Sequence, residues 1–139
     1  MEFIKQMEYR DEVNLLMKEI ENGNIKMEKE RIPVGYKPIC IVEDRLYLSV
    51  QANWGAYCTP RKTTLDLNEY SEMEMAFVTA EGLVSLEMVY PYFSKLDEIQ
   101  EYFDGDQIYS YVPVELIEDV YQELISDRAL SIIKLLDKF

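Results

Sequence analysis

The sequence predicts an α+β fold, an antiparallel or mixed sheet of about four to five strands with helices packed on it. Three observations lead there. A helical apolar stripe lies near the start, runs of period-two alternation fill the middle, and two further helical stripes close the chain. A length of 139 residues fits one domain spanning 1–139, with an N-terminal helix over about 9–22, a strand-rich middle over 39–90 and a helical part over 94–138.

Val13, Leu16, Met17 and Ile20 recur at i, i+3, i+4 and i+7, and Gly23 follows as a stop, so the first helix runs from about Tyr9 to Asn22. Asn24 to Lys37, punctuated by Pro33 and Gly35, reads as a connector into the sheet. Ile39–Val42 and Leu46–Ala52 read as strands turned at Glu43-Asp44, although that turn lacks the glycine that marks a firm hairpin. Leu46, Leu48, Val50 and Ala52 alternate with Tyr47, Ser49 and Gln51, which gives one apolar face. Trp54 to Leu67 is a long loop broken by Gly55 and Pro60. Ser71–Thr79 resumes as a strand with Met73, Met75 and Phe77 on one face, and after a turn at Ala80-Glu81-Gly82, Leu83–Val89 is expected to return as another.

Ser94 is expected to cap a short helix with Leu96, Ile99 and Phe103 on its apolar side. Asp104-Gly105-Asp106 makes a turn before a β-rich run at Ile108–Val112. Pro113 is expected in the first turn of a helix whose stripe is Val114, Ile117, Val120, Tyr121 and Leu124. Ser126 then caps a last helix over Asp127–Lys138, with Leu130, Ile133 and Leu136 inward and Lys134 and Lys138 at its negative end.

The composition excludes several classes of function. No histidine is present, which removes the commonest general base, the commonest metal ligand and every nucleophile–histidine pair. Cys40 and Cys58 lack zinc spacing, and no phosphate-cradling glycine loop occurs, so no metal or cofactor and no enzymatic activity are expected. Two cysteines read as reduced thiols of a cytosolic protein, and Met1–Arg10 has no signal-peptide pattern. No apolar run is long enough to span a bilayer. Asp104 opens a sequence like a calcium loop, with Glu115 at the twelfth place. Ile108 and Tyr109 stand where that loop needs an oxygen ligand and a glycine, which favours a simple turn.

The net charge of −13 is unevenly placed: Thr63–Asp127 holds 16 Asp and Glu against one cation, Lys95. Such a segment repels phosphate backbones and attracts basic surfaces, including the nucleic-acid grooves of other proteins; its plainer role is solubility. On the Pro113 helix, Glu115, Glu118, Asp119 and Gln122 form an outward stripe with Glu123 beside it. With Glu98, Glu101, Asp104 and Asp106 they are candidates for one negative partner-binding surface. Trp54, Tyr57 and Arg61 in the long loop are of the residue types that dominate binding hot spots. The plainer reading has Trp54 plugging the sheet edge and Arg61 paired with an acid. Arg61 could also lower the Cys58 pKa, but no base accompanies it.

Four segments occur in a familiar order: Leu48-Ser49-Val50-Gln51-Ala52, Tyr57-Cys58-Thr59-Pro60-Arg61, Tyr70-Ser71-Glu72-Met73-Glu74, and Tyr109-Ser110-Tyr111-Val112-Pro113-Val114-Glu115. They resemble a group of small bacteriophage proteins of no assigned activity, over about residues 46–120. Asn53-Trp54-Gly55 departs from that pattern, and the first and last helices fall outside it. The resemblance implies a phage or prophage origin and so a bacterial cytoplasm. Small acidic phage proteins resemble, among others, inhibitors of bacterial defence such as anti-CRISPR proteins and DNA mimics. The expected function is therefore an inhibitor that sets its acidic surface against the basic nucleic-acid-binding site of a defence effector, such as a CRISPR effector. Two alternatives stand beside it. One is a protein that sequesters a defence nucleotide, if Arg61, Lys62 and Lys95 converge. The other is a phage housekeeping or regulatory protein that associates through an apolar helix face such as Asp127–Phe139.

Overall fold

The computed structural model describes residues 1–136 and holds an α+β fold built on a five-stranded antiparallel sheet. Strands β1 (Ile39–Val42), β2 (Leu46–Gln51), β3 (Glu72–Thr79) and β4 (Gly82–Val84) form a meander. Strand β5 (Tyr109–Pro113) joins β3 on the edge that β4 also uses. β4 pairs with Phe77–Thr79, and β5 pairs with the Glu72–Met75 end. The helices are α1 (Glu2–Gln6), α2 (Asp11–Glu21), α3 (Leu86–Val89), α4 (Leu96–Gln100), α5 (Val114–Leu124) and α6 (Asp127–Leu136).

The period-two expectation holds in the core. Leu46, Leu48, Val50, Ala52, Met73, Met75 and Phe77 are fully buried on one sheet face. Ile117, Val120 and Leu124 of α5, Ile99 of α4 and Phe3 of α1 close over them. Each such side chain contributes about 1.5–3 kcal/mol relative to exposure. That outweighs the few tenths of a kcal/mol lost to the like charges Glu115 and Asp119, so α5 forms without a side-chain cap at its start.

The β1–β2 turn works without glycine because Asp44 itself adopts φ 65°, and its N–H donates to the Tyr47 hydroxyl at 3.0 Å. At the end of α2, Gly23 at φ +76° lets its own N–H reach Ile20 O (3.1 Å) and Asn24 N–H reach Glu19 O (3.0 Å), a two-bond helix stop. Ser126 caps α6 as expected, its hydroxyl accepting from Ala129 N–H at 3.2 Å. Ala129 and Ile133 bury into the core and Leu130 packs against it. The expected end at Lys138 lies outside the described residues, as does the placement of the Leu136 side chain.

Several expectations are corrected. Leu83–Val89 is not one strand: β4 stops at Val84, and Leu86 starts α3, where its N–H meets the buried Tyr109 hydroxyl at 2.9 Å. Ser94 does not cap α4. Lys95 holds that position, and Ser94 N–H donates instead to Glu123 Oε2 at 2.9 Å. Pro113 is the last residue of β5, extended at ψ 136° and paired with Glu72, rather than a residue of α5. The stretch before Tyr9 contains α1, anchored by the buried Phe3. The supposed connector 24–37 carries a core of its own, in which Ile32, Val34 and Tyr36 bury with Val13 while Leu16, Met17 and Ile20 pack against them.

Candidate functional site

The Trp54–Lys62 loop is held on both flanks. Asn53 reaches back to Val34 O at 2.7 Å, and Trp54 N–H donates to the Thr63 hydroxyl at 3.2 Å. That buried hydroxyl donates in turn to Ile32 O at 2.6 Å. On the far flank the loop adds a short rung to β3: Thr59 N–H donates to Glu72 O and Ser71 N–H to Thr59 O. Behind it, the Tyr70 hydroxyl accepts from Thr64 N–H and donates to Lys62 O, and burial pushes its pKa up to about 12. Many backbone ties therefore fix this long loop in place.

Its side chains face two ways. Cys58 is buried, its thiol donating to Asn53 O and Pro60 O, and burial drives the thiol pKa upward against the opposing pull of Arg61. A protonated, enclosed thiol is a packing group and not a nucleophile. Trp54 does not plug the sheet edge. Half of it is exposed, with the Arg31 guanidinium over its ring at 5.3 Å. Arg61 makes no ion pair among the described residues and lies over the Tyr57 ring at 5.2 Å.

Sequence reading passed over Tyr111. This residue stands at φ 54°, a conformation strained for any bulky side chain. It sits where two residues of β5 face one of β3, a bulge between the Met73 and Met75 pairings. Its N–H donates to Tyr57 O at 3.0 Å, and the two exposed rings meet with centroids 5.9 Å apart. Glu74 accepts from Tyr57 N–H at 3.3 Å. Burial raises the Glu74 pKa, the Tyr57 N–H and the charge of Arg61 oppose that, and the neighbouring charge of Asp104 adds to the rise. The signal available in the sequence was only a tyrosine in a β-rich run.

The acidic candidates divide. Glu118 accepts from Phe3 N–H at 2.9 Å and from Gln122, so it serves the start of α1. Burial alone would raise its pKa, but these bonds hold it below the ordinary value. Asp119 pairs with Lys95 at 2.6 Å and Glu123 takes Ser94 N–H, which fastens α5 to the start of α4. Asp104 accepts from the N–H groups of Asp106 and Ile108 and from the Ser110 hydroxyl, as a turn-forming aspartate does. Glu98, Glu101, Asp106 and Glu115 are exposed, and their side chains make no hydrogen bond or ion pair among the described residues. Lys62 pairs with Glu30 at 3.5 Å, Lys95 with Asp119, and Arg61 stacks on Tyr57, so these three cations serve three separate partners.

Among the described residues no helix is long and apolar enough to cross a membrane. Comparison of the chain with protein-family models, with curated protein sequences and with solved structures yields no match.

Proposed function

We propose that this protein binds another protein, setting its acidic half against a basic nucleic-acid-binding surface and thereby blocking it. One observation carries the reading. The segment Thr63–Asp127 has 16 acids and a single cation, and that cation, Lys95, is already joined to Asp119. The exposed carboxylates Glu98, Glu101, Asp106 and Glu115 make no hydrogen bond or ion pair among the described residues, although the charge of Lys95 also acts on Glu98. Such a field raises the encounter rate with a basic groove and suppresses association with nucleic acid itself. The resemblance to phage proteins directs the choice of partner to an effector of bacterial defence in the host cytoplasm, with a CRISPR effector as one instance.

The test is capture with the tagged full chain from nuclease-treated bacterial lysates carrying defence systems, followed by competition. A captured basic protein should lose its nucleic-acid binding as this protein is added. The complex should weaken steeply with salt, because surface attraction is screened over about 8–10 Å at physiological ionic strength. Affinity unchanged from low to high salt would sink the reading. The nucleotide-sequestering alternative is not favoured by the separate commitments of Arg61, Lys62 and Lys95.

A further inference from the structure

Resting on that reading, we infer that the Tyr57–Tyr111 ring pair is a seat for an arginine side chain of the basic partner. Two exposed tyrosine rings lie 5.9 Å apart at the surface, and a bulged strand holds Tyr111 at φ 54° to put it there. The register shift between the Met73 and Met75 pairings goes with this conformation, and a tyrosine occupies it where glycine would be the ordinary choice. The result is a pair of partly exposed aromatic faces tilted 48° to each other, and such a face suits a planar cation that is itself weakly hydrated.

The chain already shows what such a surface accepts. Its own Arg61 stacks on Tyr57 at 5.2 Å, leaving the Tyr111 ring without a guanidinium. Charge favours a second cation even so. The charge of Asp104 acts on Glu74, and the opposing charge that acts on it among the described residues is that of Arg61. Glu74 is partly withdrawn from water and accepts from Tyr57 N–H, so a carboxylate lies against the backbone of one of the two tyrosines. A lysine would meet the same charge but lacks the planar face that stacks, so the seat should discriminate between the two. A nucleobase could also stack, but its phosphate would meet the acidic half of the molecule.

The experiment titrates the full chain with a short oligo-arginine peptide and with an oligo-lysine peptide of equal length, at low salt. Tyrosine-ring NMR signals and calorimetry provide the readouts. The arginine peptide should bind roughly tenfold more tightly and shift the Tyr57 and Tyr111 ring signals. Tyr111→Gly, which suits the backbone, and Tyr57→Leu should each abolish the preference while thermal melts confirm a folded chain. Equal affinity for both peptides, or a preference untouched by the two variants, would overturn the seat and leave the acidic-surface reading standing. Failure of both peptides to bind at low salt would overturn both.

Discussion

Thr63 shows how a single buried hydroxyl ties two segments together. It donates to Ile32 O and accepts from Trp54 N–H, so replacing it with valine leaves the Trp54 amide without its partner and Ile32 O with only the Val34 N–H bond. Thr63→Val should cost about 1–3 kcal/mol in urea unfolding. A loss near zero would mean that the loop closes without it. Glu74 acts in the opposite direction. Burial and Asp104 raise its pKa above the ordinary 4.5, so its favourable contribution belongs to the protonated form and is lost as pH rises through the raised value. Glu74→Gln keeps an acceptor for Tyr57 N–H and removes the charge. It should raise the melting temperature at neutral pH and flatten the pH dependence above 4.5. The same variant should weaken arginine-peptide binding. A variant melting below wild type at neutral pH would contradict this account of Glu74. None of these roles was legible in the sequence, because each depends on a partner more than ten residues away. Trp54, Tyr57 and Arg61 were legible by type. Tyr111 was not, since a positive φ on tyrosine has no sequence signature.

Among the elements, those with strong periodicity were read well. The stripes of α2 and α5 and the alternation of β2 and β3 recur in the structure because burial on one face leaves little choice of register. Short elements were misread for the converse reason. α3 and α4 have four and five residues, too few for periodicity to speak, and long-range bonds to Tyr109 and Glu123 decide their starts. Two predictions belong here. Gly23→Ala meets no atom within 4 Å, so its whole cost is conformational, about 1 kcal/mol, readable as a lower melting temperature. The Glu118 carboxylate that receives Phe3 N–H has a lowered pKa, so its contribution is present above pH 4.5 and lost as pH falls through the depressed value. Protection of the α1 amides, relative to the intrinsic exchange rate at each pH, should accordingly fall in acid before that of the β3 amides does. A simultaneous fall would mean that α1 is not held by Glu118.

Over the whole molecule, charge is the term that the sequence displays and the fold distributes. With a net −13, self-repulsion works against the compact state, and added salt screens it. The melting temperature should therefore rise as sodium chloride is brought from low concentration to the physiological range. A fall would mean that ion pairs such as Lys95–Asp119 outweigh the repulsion. The division of the acids between internal ties and open surface could not be foreseen. Glu115, Glu118 and Asp119 look alike in sequence, yet only the first projects into solvent without an internal bond.

The shared edge of β3 also has a bearing on time. β1–β2 and β3–β4 close by short turns, whereas the stretch between Gln51 and Glu72 must fold back to pair β2 with β3, and the stretch between Val84 and Tyr109 must return to bring β5 onto the remaining half of that edge. Loop closure of this kind is the slow part of a folding reaction. Tyr57 lies in the first of these stretches and Tyr111 on β5 at the end of the second, so the ring pair forms only once both have closed. A copy in which either stretch is open would carry the same acids without the paired rings.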